Sequence, residues 1–245
     1  MRGVTLFHLR AQQEVAVVFV SANHQKPGVD YKVTYLGEEQ EPLVVLDGLF
    51  DTNGLIEDAA SKVFAPIAPY YPGVRAKAPL HLLKPHGPEL VTLARDVFGS
   101  DGLQLIEHNY SLVTKAPSEL APIQRLPHFD GFEPRLALLV YLRAAGQGGT
   151  AFYRQKATGF ETVTEANFKA YEAQLRADVD ADGLGDGYFM EGNGFERIGE
   201  VEAMPGRVAI YRGRTLHSGV IGNPGQLSDD PATGRLTLNT FFLLR

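Results

Sequence analysis

Residues 135–142 read RLALLVYL, an almost uninterrupted apolar run with its one charge at the head. A strand of this kind is expected where both faces are covered, so layers must stand on either side of it. The flanking sequence supplies candidates. LQLIEHNYSLVT (103–114), AFYRQ (151–155), RIGEVEAM (197–204), RVAIYRG (207–213) and RLTLNTFFLL (235–244) all read as strands. One helix interrupts them around 164–177, where Phe168, Tyr171 and Leu175 share a face after a threonine cap. Strands in succession after early helices suggest an antiparallel sandwich or small barrel backed by helices.

The first hundred residues have a different texture. TLFHLRA, EVAVVFV, YKVTYL and PLVVL read as short strands, with an HQKPG turn between two of them. A helix follows, capped by Asp51, Thr52 or Asn53, with Leu55, Ile56, Ala59, Ala60, Val63 and Phe64 on one face. After a proline-rich loop region, Pro88 opens a second helix that turns Leu90, Val91, Ala94 and Val97 inward and stops at Gly99. With no repeat or long linker, one domain is expected over 1–245. Residues 1–102 would supply N-terminal strands and supporting helices, and 103–245 the core.

Composition excludes several kinds of chemistry. The chain has no cysteine, which rules out disulfides, thiolate ligands, iron–sulfur clusters and cysteine nucleophiles. A net charge of -6 without a basic stripe argues against nucleic acid as a partner. Neither a signal-peptide pattern nor an apolar run of about 18–20 residues is present, so a soluble, cytoplasmic protein with no membrane partner is expected. No nucleophilic-serine motif, phosphate loop or dinucleotide fingerprint is found.

The stretch RLPHFDGF (125–132) carries the most specific chemistry. In extended backbone His128 and Asp130 point to one side and Phe129 to the other, so an imidazole and a carboxylate can share a metal ion. A third ligand could come from His217, directly after the apolar strand RVAIY. Two histidines and one carboxylate form the facial triad of non-haem iron oxygenases, which leaves three coordination positions open. Taken alone, H-x-D is more often a polar turn, and a histidine placed like His217 more often a hydrogen-bonded strand end.

The order of segments goes further. LQLIEHNY, PHFD, RLALLVYLRAAGQGGTAFYR, MPGRVAIYRGRTLHSG and GRLTLNTFF together resemble the prolyl-hydroxylase-like branch of the Fe(II)/2-oxoglutarate oxygenases, over about residues 103–245. DGLF…YPGVRA and GFERIGEV are similar to segments of an uncharacterised bacterial family within that superfamily. The resemblance implies a double-stranded β-helix, or jelly roll: an all-β core with flanking helices (α+β). It implies Fe(II), the co-substrate 2-oxoglutarate and O2, with oxidation of an unactivated C–H in a small-molecule or peptidyl substrate.

By the same resemblance His128, Asp130 and His217 are catalytic metal ligands, and retention of Asp130 favours oxygen insertion or desaturation over halogenation. Arg235 would hold the distal carboxylate of 2-oxoglutarate, its planar fork matching the two oxygens. Thr237, two residues on, could add a hydroxyl, and Tyr110 and Tyr141 match positions where relatives use a tyrosine near the co-substrate. The insertion NPGQLSDDPATG separates Arg235 from His217 by more than is usual, leaving Arg207, Arg212 and Arg214 as competitors. The glycines of GQGGT are expected to serve a tight turn.

Other features carry less. Asp178, Asp180, Asp182 and Gly183 imitate the start of a calcium loop, but the twelfth position is Phe189, and Glu191 falls two residues late. A solvated acidic loop is expected there, which could cover the mouth of the site. His8, His24, His81 and His86 read as surface or packing residues. His108, beside Tyr110, leaves open a three-histidine site. The rival functions are a triad oxygenase that does not use 2-oxoglutarate, a silent jelly-roll binding protein and, more remotely, a cupin-type isomerase.

Overall fold

The computed structural model describes residues 17–20, 30–67, 69–144, 146–192 and 194–245. The expected strand TLFHLRA, the start of EVAVVFV, the HQKPG turn, His8 and His24 lie outside them. The described strands are β1 Val18–Val20, β2 Tyr31–Leu36, β3 Glu41–Asp47, β4 Gly73–Lys77, β5 Gly102–Val113 and β6 Arg135–Arg143, then β7 Thr150–Gln155, β8 Phe195–Val201, β9 Arg207–Arg212, β10 His217–Gly219 and β11 Leu236–Leu244. The helices are α1 Thr52–Ala60, α2 Leu80–Leu83, α3 Gly87–Phe98 and α4 Phe168–Asp182.

All strand pairs are antiparallel. The large sheet runs β1-β5-β11-β6-β9-β3-β2, with β4 also on β5, and a three-stranded sheet runs β10-β7-β8. A bridge between His128 and His217 adds the H-x-D segment to the free side of β10. From β5 onward the chain therefore alternates between the sheets: β5 in the large one, the bridge in the small, β6 large, β7 and β8 small, β9 large, β10 small, β11 large.

Strand β6 lies between β11 and β9 and is covered on both faces. Leu136, Leu138, Val140 and Leu142 face a core shared with Leu55 and Ala59 of α1 and Leu90, Val91, Ala94 and Phe98 of α3. Ala137, Leu139 and Tyr141 face the small sheet with Phe152, Val201, Ala209 and Tyr211. Each buried leucine or valine contributes roughly 1.5–3 kcal/mol, so this strand holds the two layers together. A third cluster joins α4 to the small sheet through Tyr171, Phe189, Phe195 and Leu216. Strands β2 and β3 extend the large sheet past β9, so residues 30–47 belong to the same layer as the core. No helix among the described residues is long and apolar enough to cross a membrane.

Three local expectations need correction. α1 ends at Ala60: the Ser61 hydroxyl bonds the Asp58 carbonyl at 2.6 Å, and the chain turns away to pair Ala65 with Arg75. Val63 consequently stands 91% exposed, although Phe64 still packs on the core. The helix expected over 164–177 begins at Phe168, because Thr164 and Asn167 form a side-chain-bonded turn ahead of it (2.7 Å). It runs on to Asp182, so Asp178, Asp180 and Asp182 lie on the helix instead of in a loop and cannot wrap a cation; Asp178 accepts from Gln174 at 2.7 Å. By contrast α3 follows the sequence reading, with Pro88 in the first turn and Gly99 in the left-handed conformation (φ 70°) closing the last.

His108 is on the helix-facing side of β5, its Nδ1 2.8 Å from the Thr240 hydroxyl. Burial pushes its pKa down to about 4, against a weaker upward pull from a hydrogen bond to the Pro79 backbone. The folded chain thus binds fewer protons here than the unfolded chain between about pH 6.5 and 4, so this contribution is complete above pH 6.5 and is lost as pH falls. His108→Gln is expected to flatten the pH dependence of unfolding in that window by up to about 1.4 kcal/mol per pH unit, measured by urea titration at stepped pH.

Candidate metal centre

His128 and Asp130 are positioned by backbone pairing. His128 N–H donates to the His217 carbonyl (2.9 Å), His217 N–H to the His128 carbonyl (2.8 Å), and Asp130 N–H to Gly213 (2.7 Å). This extended geometry sends His128 and Asp130 to one side, and Phe129 to the other against Phe132, Phe168 and Tyr171. The two imidazole Nε2 atoms lie 3.9 Å and 3.7 Å from the Asp130 carboxylate oxygens. Potential ligand atoms of all three residues lie within 4.8 Å of one another. Among the described residues no other group of three histidines or acids meets in this way, and His108 is not part of it.

The donor set suits a divalent cation. Asp130 Oδ2 is buried with no hydrogen-bond partner, a costly state for a carboxylate unless something positive meets it. His217 Nδ1 lies 2.8 Å from the Thr215 carbonyl, which can only accept, so Nδ1 carries the proton and the Nε2 lone pair faces Asp130. Burial pushes His217 down to about 4. His128 is also pushed down to about 4, chiefly by desolvation and then by His217; its side chain is 49% exposed, but into a walled cavity. Asp130 is pushed up by burial, opposed by His128, Arg135 and Arg75. Both imidazoles are therefore neutral near pH 7, the form that binds metal.

The triad lies in the wall of a cavity of about 630 Å3 between the sheets. Arg235, just ahead of β11, and Thr237, Asn239 and Phe241 on it line the cavity, while Leu236 and Leu238 turn to the helices. Arg235 is 5% exposed. Its Nη2 donates to the Gly149 carbonyl at 3.0 Å, its Nε is buried without a partner, and no ion pair is formed to it among the described residues. The competing arginines are all engaged: Arg207 with Asp47 (3.0 Å), Arg212 with Glu41 (3.2 Å) and Arg214 with Glu41 (2.5 Å). Gly149 itself is required by close approach and not by a turn, since a Cβ there would collide with the Val201 carbonyl.

The two expected tyrosines part company. Tyr141 is packed between the sheets, its hydroxyl donating to Thr150 at 2.7 Å, and Thr150 lines the cavity. Burial pushes the Tyr141 phenol up to about 12. Tyr110 belongs to the opposite face, where it donates to Asp58 of α1 at 3.0 Å, and it does not reach the cavity. Tyr110→Phe is accordingly expected to cost about 1–2 kcal/mol in chemical denaturation and to leave any divalent-metal affinity within about twofold of the parent chain.

Among the cavity residues that the sequence reading passed over are Tyr71, Arg75, Arg135 and Tyr188. Tyr188 follows α4 and is tied by its hydroxyl to the Lys115 carbonyl (2.7 Å), so the segment after α4 contributes to the wall. Arg135 had a signal: it heads β6 with the parity of Ala137 and Leu139, which face the small sheet.

No curated protein matches the chain. Among solved structures, it is similar to HygX from Streptomyces hygroscopicus with nickel and 2-oxoglutarate bound (14% identity, 84% of each chain, TM-score 0.49). It is also similar to the epimerase SnoN in complex with Fe3+, alpha ketoglutarate and nogalamycin RO (16%, 84% of this chain and 80% of that, 0.48). An N-substituted L-amino acid dioxygenase from Burkholderia ambifaria is a third (13%, 84% of each, 0.41). A family model described as "Family of unknown function (DUF6445)" matches residues 27–242. That match spans most of the chain, which therefore belongs to the DUF6445 family.

Proposed function

We propose that this chain is an Fe(II)- and 2-oxoglutarate-dependent oxygenase, a jelly roll of the prolyl-hydroxylase-like kind, acting on a small-molecule or peptidyl substrate. The observation that carries the reading is one cavity holding both a His-Asp-His cluster and a buried guanidinium without a counter-ion. The alternation of successive strands between two sheets is the connectivity expected of a jelly roll.

His128, Asp130 and His217 would hold the iron, two neutral imidazoles and one carboxylate leaving a face open to other ligands. When bound, the iron with 2-oxoglutarate and O2 supplies the oxidising chemistry, and the residues of the chain position and shield it. Arg235 would receive the distal carboxylate in a bidentate pair, strengthened by burial, with the Thr237 hydroxyl on the same strand face adding a donor. Thr150 is held by the Tyr141 hydroxyl, and Leu139, Val113 and Tyr71 form part of the cavity wall. Burial pushes the Asp130 carboxyl up, opposed by His128, Arg135 and Arg75, and a bound cation would favour its carboxylate form.

Anaerobic titration with Fe(II) and then 2-oxoglutarate tests the reading. A weak visible absorption band is expected on addition of 2-oxoglutarate, together with slow succinate formation once air is admitted. Metal uptake with no 2-oxoglutarate response would point to an oxygenase that takes its electrons from substrate. Binding of both without any consumption, across a substrate panel, would point to a silent binding protein.

A further inference from the structure

The same cavity contains two more arginines that the iron and its co-substrate do not use. Arg75, on β4, and Arg135, at the head of β6, both line it. Arg135 is beside the metal cluster: a methyl group built on Gly131, the neighbour of Asp130, would lie 3.8 Å from its guanidinium carbon. Arg75 lies 4.3 Å over the ring of Tyr71, another cavity residue.

Neither guanidinium is well satisfied. Arg75 reaches Glu107 only at 3.5 Å, and Arg135 reaches Glu133 at 3.6 Å, with the Glu133 side chain 59% exposed. The Nε of each is buried without a hydrogen-bond partner. Arginines with a structural task in this chain behave otherwise: Arg207 holds Asp47 through two bonds of 3.0 Å and 3.1 Å. A guanidinium in a cavity wall with only long contacts to carboxylates can take a closer anionic partner. Elsewhere the cavity wall is apolar and aromatic, with Phe129, Phe168, Tyr171, Leu175 and Ile123.

From this arrangement we infer that the substrate is a small carboxylic acid with an apolar or aromatic body, its carboxylate gripped by Arg75 and Arg135 and its body laid against Phe129, Phe168 and Tyr171. The inference rests on the iron reading for what happens to the substrate, and on the cavity alone for what binds. At about 630 Å3 the space has the size of a small-molecule site and must also admit the co-substrate. Glu107 and Glu133 reach these arginines only at 3.5 Å and 3.6 Å, so a carboxylate entering the cavity can come closer to both than their present partners do, which a neutral or cationic substrate cannot.

The test uses the full chain loaded with nickel(II) and 2-oxoglutarate, so that nothing turns over. Phenylacetate, 3-phenylpropanoate and 4-phenylbutanoate are each titrated by calorimetry against the corresponding neutral amide. At least one acid is expected to bind about tenfold or more tightly than its amide, in line with a charged hydrogen-bonded pair. Arg75→Met and Arg135→Met should each reduce that preference several-fold and Arg135→Lys should retain part of it, each variant being compared at saturating nickel and 2-oxoglutarate. Far-ultraviolet circular dichroism shows whether each variant is folded. Acids and amides that bind equally, or not at all, overturn the inference, as does a preference that survives both methionine variants. If nickel and 2-oxoglutarate fail to bind while the preference persists and depends on both arginines, the iron reading falls and this inference stands.

Discussion

Replacing His217 with alanine is expected to lower metal affinity by more than about 100-fold and to abolish the visible band formed with Fe(II) and 2-oxoglutarate, while the chain stays folded. Loss of a residue that merely orients a ligand typically costs 10–100-fold, and His217 would be a ligand itself. Its ring is buried, 4.3 Å from the ring of His128 and 4.9 Å from that of Tyr211, and its Nδ1 proton is fixed by the Thr215 carbonyl. With the ring gone, Asp130 and His128 remain as a bidentate site on an edge segment. The fold should lose about 1–3 kcal/mol, since the backbone pairing with His128 does not need the side chain. Iron titration and urea unfolding of the same preparation separate the two effects. Metal affinity within tenfold of the parent chain would show that the three residues do not act as one site.

Arg235→Met is expected to move two quantities in opposite directions. Binding of 2-oxoglutarate should fall by about 100-fold or more, because a buried carboxylate would lose its charged, bidentate partner. The chain without co-substrate should become more stable, by about 1–3 kcal/mol, because a desolvated guanidinium with a single hydrogen bond to Gly149 is replaced by an apolar side chain of similar length. Residues retained for ligand binding commonly carry such a stability cost. Calorimetry with 2-oxoglutarate and thermal unfolding of the nickel-loaded chain read the two effects. A variant that is both less stable and unaltered in 2-oxoglutarate affinity would make Arg235 a structural residue.

Much of this was legible in the sequence where a pattern repeats locally. The apolar run of β6 announced burial on both faces, and the parity within it assigned each side chain to a layer. His128 and Asp130 were readable as one-sided because alternation holds over three residues of extended chain. Thr237 could be placed with Arg235 by the same rule. Tyr110 could not be assigned to a face. The register of β5 against β11 shifts between Phe241 and Phe242, and the irregularity opposite, at Ile106, resets the alternation. Leu103 and Leu105 therefore share the helix-facing side with Tyr110 and Leu112, despite opposite parity.

The remaining omissions concern elements too short or too polar to show a period. GVRAK has two charges in five residues and becomes strand β4 only because β5 offers it an edge. That pairing is what turns Arg75 into a cavity residue. Strand β10 is three residues long and exists as a strand through its partners. The length of α4 was misjudged because its last turns are acidic, and sequence pattern alone favoured a loop over a solvated helix end.

The reciprocal pair of amide bonds between His128 and His217 has a mechanical implication. It is the rung at which the H-x-D segment is fastened to the small sheet, and two of the three side chains that would grip the ion spring from it. An ion seated there would act as a hasp across the seam, resisting separation of two segments that are remote along the chain. Loading a metal there and fastening that edge of the small sheet would then be one event, and extraction of the ion would loosen the protein first at that edge.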